Sequence, residues 1–354
     1  MPWYYVDLFA GGGGASLGFR QAGAVPRLVV DSDHVTLQNW LANACPADPN
    51  VVRCLTIGTD ALPLPPPTPA LHLHSSPPCQ SFSTARSATT ASEAGEGVRL
   101  LRLSLDTALA HGFASWSIEN VATRFVLKIL DAYRSAFPHR VTYVVLDAAD
   151  YGAPSSRKRA YAGPPALIAA LKEVPMRERT SARVSFANRG LTLPDGAVGL
   201  TVSRGRDAAQ NRARSLDDVA FTVTASHPLT ILDANGKSLG VLTPKHSAAL
   251  LGLPAEWKML RNRRAAQRAI GNMVSPVMAK LLMECAVRVD AALPPPIAQT
   301  DLDAIDVHAP PPPPPPPPAP PSADAPSTRK RELDDVLDTL DSILQKLRRL
   351  VRDI

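Results

Sequence analysis

The chain has 354 residues, 45% of them apolar and 20% charged, with a formal net charge of +6. That composition excludes a wholly disordered chain or a repeat fibre, and no apolar run reaches the roughly 18 residues of a membrane span. Four cysteines, none spaced as Cys-x-x-Cys, leave zinc-ribbon and redox motifs unsupported and make a reducing compartment the default.

The start, Met1-Pro2-Trp3-Tyr4-Tyr5-Val6, lacks a basic stretch before an apolar run and enters strand-like sequence at once. Neither a secretory leader nor an N-terminal regulatory domain is expected. Trp3–Leu8 reads as a strand, followed by a glycine turn and a helix near 15–23. Arg27–Asp31 is a strand, then a helix near 34–43. Ala70–His74 is a strand stopped by Ser75-Ser76-Pro77-Pro78. A helix near 98–111, the strand Ser115–Ile118, a helix near 122–136 and strands at Val141–Leu146 and Arg159–Ala162 follow. Alternating strands and helices predict a doubly wound, mainly parallel sheet, with functional groups at the carboxyl ends of its strands.

Residues 174–240 lose that alternation. From 177 to 214 there are eight arginines against Glu178, Asp195 and Asp207, which reads as a small inserted domain, most of its arginines being solvated surface charge. Helices resume near 243–251 and 274–292. Residues 310–318 are nine consecutive prolines, a polyproline II spacer outside any core and a possible ligand for proline-reading domains. The folded body is therefore expected to end near 293. Past the spacer, Leu333, Leu337, Leu340, Leu344, Leu347, Val351 and Ile354 repeat at 4,3 spacing, the seam of a coiled coil. Acidic residues fill its first half and basic ones its second, which suits self-association or a partner helix.

Four stretches carry chemistry. Gly11-Gly12-Gly13-Gly14 joins a strand to a helix, where backbone can approach a ligand and the helix N-terminus favours an anion. No Gly-x-Gly-x-x-Gly is present, which disfavours a nicotinamide dinucleotide, and Asp31 closes the second strand, placed for ribose hydroxyls. An adenosine-containing cofactor without pyrophosphate fits. Prolines frame Cys79 in Pro77-Pro78-Cys79-Gln80, and a lone cysteine in such a loop suits a nucleophile. Cys45, Cys54 and Cys285 read instead as buried inert thiols. Glu119 follows a strand onto the same rim. Arg157 and Arg159 alternate into another strand.

In this order, DLFAGGGGASLGF, PPCQSFS, ENV, YGAPSSRKR and GNMVSP resemble the motif series of the cytosine-C5 DNA methyltransferases, over about residues 4–290. The resemblance implies a Rossmann-like domain binding S-adenosylmethionine and a small target-recognition domain. Phe9 would pack on the cofactor, with Gly11, Gly12, Gly13, Gly14 and Pro78 lining it, Asp31 on the ribose and Asp60 on the adenine amine. Asn272 would close over it. Cys79 would add to C6 of a flipped-out cytosine, Glu119 would bind its N3/N4 edge, and Arg159 its O2, with Arg157 in support. DNA is the implied partner, and the enzyme is expected wherever that DNA is. The chain departs from the pattern at Ser155, His246, Leu251, Leu253 and Ser275, positions that bear on how the recognition domain is held. A tRNA-directed enzyme of the same fold and a catalytically silent DNA-binding relative are the alternatives. The expected organisation is a catalytic domain over 1–173, a recognition region over 174–240, a return to the catalytic domain over 241–293, a proline-rich disordered spacer over 294–329 and a coiled-coil helix over 330–354.

Overall fold

The computed structural model describes residues 2–44, 46, 48–78, 91–202, 213–289 and 292–307, the side chains of 91–94 apart. The chain divides into two units, Met1–Pro311 and Pro312–Ile354. The second, with the coiled-coil expectation and most of the spacer, lies outside the described residues, as do Cys45 and Cys79.

A seven-stranded sheet forms the centre. Its strands are β1 (Tyr4–Leu8), β2 (Val25–Asp31), β3 (Val52–Cys54), β4 (Leu71–Ser75), β5 (Ser115–Val121), β6 (Thr142–Asp147) and β7 (Lys158–Gly163). They are ordered β3-β2-β1-β4-β5-β7-β6. All junctions from β3 to β5 are parallel, and β7 runs antiparallel to both β5 and β6. This is the Rossmann-like α/β architecture expected from the strand–helix alternation.

Helices cover both faces, as a parallel sheet requires. On one side Leu101, Leu105 and Leu109 of α3 (Ala91–Ala110) and Ile129, Leu130 and Tyr133 of α4 (Arg124–Ala136) pack on Val6, Leu8, Leu73, Trp116 and Ile118. On the other, α1 (Gly14–Gln21), α2 (His34–Ala44), α5 (Pro165–Lys172) and α9 (Pro276–Arg288) enclose Tyr5, Val29 and Tyr161. The stretch 263–288 is long and apolar enough for a membrane span, but 72% of its most apolar window is buried inside the protein.

A second sheet, order β11-β10-β8-β9, is built from β8 (Gly199–Val202), β9 (Arg214–Ser215), β10 (Leu229–Leu232) and β11 (Ser238–Val241). Leu200, Leu229 and Ile231 share a core with α6 (Ala182–Ala187), α7 (Pro244–Leu251) and α8 (Arg263–Asn272). Among the described arginines here Arg177, Arg179 and Arg183 are exposed, as expected of surface charge, and Arg189 and Arg214 are partly buried. Arg179 pairs with Asp150 and Arg183 with Asp217, Arg189 donates to the Pro254 carbonyl, and Arg214 lies over the Phe221 ring at 4.2 Å.

Two expectations need correction. The body does not end at 293. Ile297 N–H donates to Leu109 O, Arg140 donates to Pro295 O, and Leu302, Ile305 and Val307 are buried on the α3 side, with the short α10 (Gln299–Asp303) between. The apolar side chains spaced through 297–307 draw that segment back onto the sheet layer after the prolines at 294–296. Cys54 is exposed rather than buried, at the end of edge strand β3, its thiol donating to Ser32 O. Cys285 is buried, and burial pushes its thiol up against the opposing pull of Arg288.

Candidate active site

The carboxyl ends of β1, β2, β4 and β5 meet on one rim. After β1, Phe9 takes a left-handed φ of 58°, rare outside glycine. Its carbonyl accepts from Ser76 Oγ, and Leu8 O accepts from Ser76 N–H, stitching the β1 and β4 loops together. Gly11 N–H donates to Asp31 Oδ2 at 2.8 Å, while Asp33 N–H donates to Oδ1 at 2.9 Å. Asp31 thus fixes the glycine turn as well as closing β2.

The four glycines divide by what surrounds them. A Cβ on Gly11 would meet only the Phe9 carbonyl, at 3.9 Å, so this part of the turn is open. On Gly12 it would lie 2.1 Å from Met273 Cε, on Gly13 2.7 Å from Trp40 Cδ1, and on Gly14 2.2 Å from Val274 O. Trp40 excludes a side chain at Gly13 and the Val274 backbone excludes one at Gly14; at Gly12 only the flexible end of Met273 would have to give way, and at Gly11 the left-handed φ of 50° favours glycine beside open space. Half-buried Phe9, open Gly11 and the Asp31 carboxylate at the strand end fit an adenosine-type cofactor. Asp60 is exposed, its Oδ2 accepting from Thr56 N–H at 2.6 Å. Asn272 is exposed at the end of α8, and Pro78 is exposed beside buried Pro77.

Glu119 is buried near the end of β5, opposite Tyr161 on β7. Arg159 Nε lies 3.1 Å from Glu119 Oε1, with side-chain exposures of 13% and 9%. Next along the strand, Asn120 Nδ2 donates to Pro77 O at 3.0 Å. This bond ties the Glu119 strand to the loop that leads into Cys79. Sequence reasoning alone gives Asn120 no role; its signal is an amide beside a rim carboxylate.

Arg157 and Arg159 do different work. Arg157 precedes β7 and is 4% exposed; its guanidinium donates to Val223 O at 3.3 Å and Gly271 O at 3.2 Å. It joins the body to the loop before β10 and to the α8 end, whereas Arg159 faces Glu119. Ser155 Oγ donates to Leu250 O at 2.7 Å. His246 Nε2 reaches Thr192 O at 3.1 Å, and its Nδ1 meets Thr243 Oγ1 at 2.7 Å. The departing residues Ser155 and His246 thus make their own attachments to the α7 region. Leu251 and Leu253 are buried in the core below; Ser275 is buried without a partner for its hydroxyl. Among the described residues no cluster of three metal-ligating side chains occurs.

The strand order, the glycine turn and the rim carboxylate define a Rossmann-like methyltransferase. The family model for C-5 cytosine-specific DNA methylases matches residues 4–181, and the chain belongs to that family. A curated relative, the type II methyltransferase M.AplI of Arthrospira platensis, is 25% identical over 307 residues, covering 78% of this chain and 83% of that protein. Solved structures share the fold at 81% coverage of this chain. An E. coli protein described as a prophage-encoded DNA modification methyltransferase matches over 99% of its length (TM-score 0.55, 17% identity). Entamoeba histolytica EhMeth (0.53, 14%) and S. pombe Dnmt2 (0.51, 15%) each match over 98% of theirs.

Proposed function

We propose that the protein methylates C5 of a flipped-out cytosine in DNA through a transient covalent bond from Cys79. The observation that carries this is the rim itself: Glu119 is paired with Arg159 beside a loop that Asn120 holds by Pro77, and Cys79 follows Pro78. Membership of the C-5 cytosine-specific family supports the reaction class.

S-adenosylmethionine supplies an electrophilic methyl group when bound. Phe9, Gly11, Asp31, Asp60, Pro78 and Asn272 are the residues proposed to hold it. Cytosine C5 is a poor nucleophile. Cys79 thiolate bonds to C6 while the Glu119 carboxyl gives a proton to N3, producing an enamine nucleophilic at C5; the bound cofactor would supply its methyl to that carbon, its S–CH3 bond breaking to leave S-adenosylhomocysteine. The C5 proton then leaves to a base, the Sγ–C6 bond breaks, and the N3 proton returns to Glu119. A free thiol has a pKa of about 8.5, so Cys79 requires local activation and a reducing compartment. Arg159 would bind cytosine O2. Flipping costs a few kcal/mol. The exposed Lys258, Arg261, Arg263, Arg264 and Arg268 would repay it through phosphate contacts. Arg268 sits 3.8 Å from Asp33, next to the cofactor rim.

Duplex DNA containing 5-fluorocytosine tests the mechanism, because fluorine cannot leave C5 as a cation. The protein should be trapped covalently, and only with S-adenosylmethionine present. Cys79→Ser should abolish trapping, while Cys45→Ser, Cys54→Ser and Cys285→Ser should still trap. A Cys79→Ser protein that still forms a denaturation-resistant complex would show that the nucleophile lies elsewhere.

A further inference from the structure

One face of the central sheet is polar where apolar side chains would ordinarily pack. Tyr5, His72 and Ser115 are in-register neighbours across β1, β4 and β5, and Asp7, His74 and Ser117 form the next row. All six are at most 5% exposed. The Phe19 ring of α1 sits edge-on to His72 and His74, its centroid 5.6 and 5.2 Å from theirs.

The hydrogen bonds run through these rows in series. Ser115 Oγ meets His72 Nδ1 at 2.7 Å, His72 Nε2 meets Ser117 Oγ at 2.8 Å, and Ser117 Oγ meets His74 Nδ1 at 2.8 Å. At the far side Ser16 Oγ, in the first turn of α1, donates to Asp7 Oδ2 at 2.6 Å. Two atoms of the series are buried without a partner, His74 Nε2 and Asp7 Oδ1. They belong to side chains adjacent across the β1–β4 junction and on the same face. A neutral imidazole carries one N–H and one lone pair, so only one direction satisfies every member once Asp7 accepts. Ser115 then donates to His72, His72 to Ser117 and Ser117 to His74, which leaves the His74 Nε2–H turned to no acceptor in the structure, with Asp7 Oδ1 the unpaired acceptor on the neighbouring strand.

We infer that the two orphaned atoms pair, His74 Nε2–H donating to Asp7 Oδ1, and so close Ser115, His72, Ser117, His74, Asp7 and Ser16 into one directional hydrogen-bond chain that fixes β4 and β5, the strands leading to Cys79 and carrying Glu119, against each other. His74 and Ser117 are accordingly positioning residues for methyl transfer. β4 runs from His74 into the Pro77-Pro78-Cys79 loop, and β5 runs from Ser117 to Glu119 two residues on. A slip of either strand would move nucleophile and carboxylate apart. Burial holds both imidazoles neutral, at about 3, as the chain requires. The role in catalysis rests on the methyl-transfer reading above.

The test uses the full chain as wild type, Ser117→Ala, His74→Asn and the double variant. Four readouts apply: melting temperature, S-adenosylhomocysteine affinity, single-turnover methylation of duplex DNA and histidine 15N NMR. Each single variant should lose at least tenfold in single-turnover rate, with cofactor affinity within twofold of wild type. The double variant should lose no more than the worse single, since both break one chain. NMR should show His72 and His74 neutral at pH 5 with protons on Nε2, and Ser117→Ala should shift the His74 Nδ1 resonance. Rates unchanged in folded variants, additive losses, or losses that track cofactor affinity and melting temperature would each overturn the positioning role. A proton on His74 Nδ1 at neutral pH, or an unmoved His74 resonance in Ser117→Ala, would overturn the chain. Wild-type protein that methylates no cytosine overturns the function and the catalytic role with it, while the tautomer pattern still decides the chain.

Discussion

Arg159 Nε and Glu119 Oε1 face each other at 3.1 Å across the antiparallel β5–β7 junction, both largely shielded from water. The pair lies at the rim beside the Cys79 loop, away from the turn that Asp31 closes. Glu119→Gln should therefore slow methylation and covalent trapping by about 100-fold or more, the scale of general acid catalysis. S-adenosylhomocysteine affinity should stay within twofold, as read by calorimetry. A matching loss of cofactor affinity would place Glu119 in the cofactor site instead.

Asp31 is expected to serve ribose and fold together. S-adenosylhomocysteine should raise the melting temperature, as a ligand of the native state does, and NAD should not. Asp31→Ala should weaken nucleoside binding by roughly 1.5–3 kcal/mol, the value of a charged hydrogen bond. It should also lower the melting temperature of the ligand-free protein, because Gly11 and Asp33 N–H groups lose their acceptor. Equal stabilisation by NAD would contradict the cofactor assignment.

The polar sheet face gives stability a pH signature. Burial lowers His72 and His74 from 6.5 to about 3, so between those values the unfolded chain binds more protons and stability falls on acidification. Burial raises Asp7 from 3.8 to about 7, in spite of its bond to Ser16, which contributes stability at low pH that is lost as pH rises towards 7. Two groups oppose one between about pH 4 and 6.5. Their net effect is a loss of up to about 1.4 kcal/mol per pH unit on acidification. Denaturant titrations at several pH values should show that slope, and a His72→Leu/His74→Leu double variant should flatten or reverse it.

Two truncations separate core from tail. Removing everything after Leu293 discards Leu302, Ile305 and Val307, each buried side chain worth about 1.5–3 kcal/mol, and should lower the melting temperature sharply. Removing everything after Ala309 should leave both stability and methylation per site nearly unchanged. The proposed heptad seam predicts that this shorter protein is smaller in solution than the full chain. Light scattering reporting both as monomers would remove self-association and leave a partner helix.

Arg157 offers a contrast with Arg159. Its guanidinium spans two carbonyls, Val223 O and Gly271 O, that belong to separate segments. Arg157→Lys cannot span both in the same way. It should reduce melting temperature and DNA methylation together, whereas Arg159→Lys should reduce methylation with little change in melting temperature. Thermal denaturation beside steady-state kinetics distinguishes the two.

Local patterns in the chain were enough to determine the alternating elements of the main sheet, the glycine turn after β1 and the rim position of Glu119. Hydrophobic period and turn chemistry act between near neighbours, so they are written in short stretches of residues. The helix that begins at 91 rather than near 98 and the small sheet of β8 to β11 were not legible, because small polar residues and short strands carry little periodicity. Tertiary structure alone decided that Gly13 and Gly14 are required by Trp40 and Val274, that Arg157 and Arg159 part company, and that 297–307 returns to the core. Each depends on groups brought together from distant parts of the chain. The Leu71-His72-Leu73-His74 alternation already marked one face of β4 as polar; only the register of β1, β4 and β5 set Asp7 and Ser117 beside those histidines, since a neighbour across a strand junction has no fixed distance in sequence.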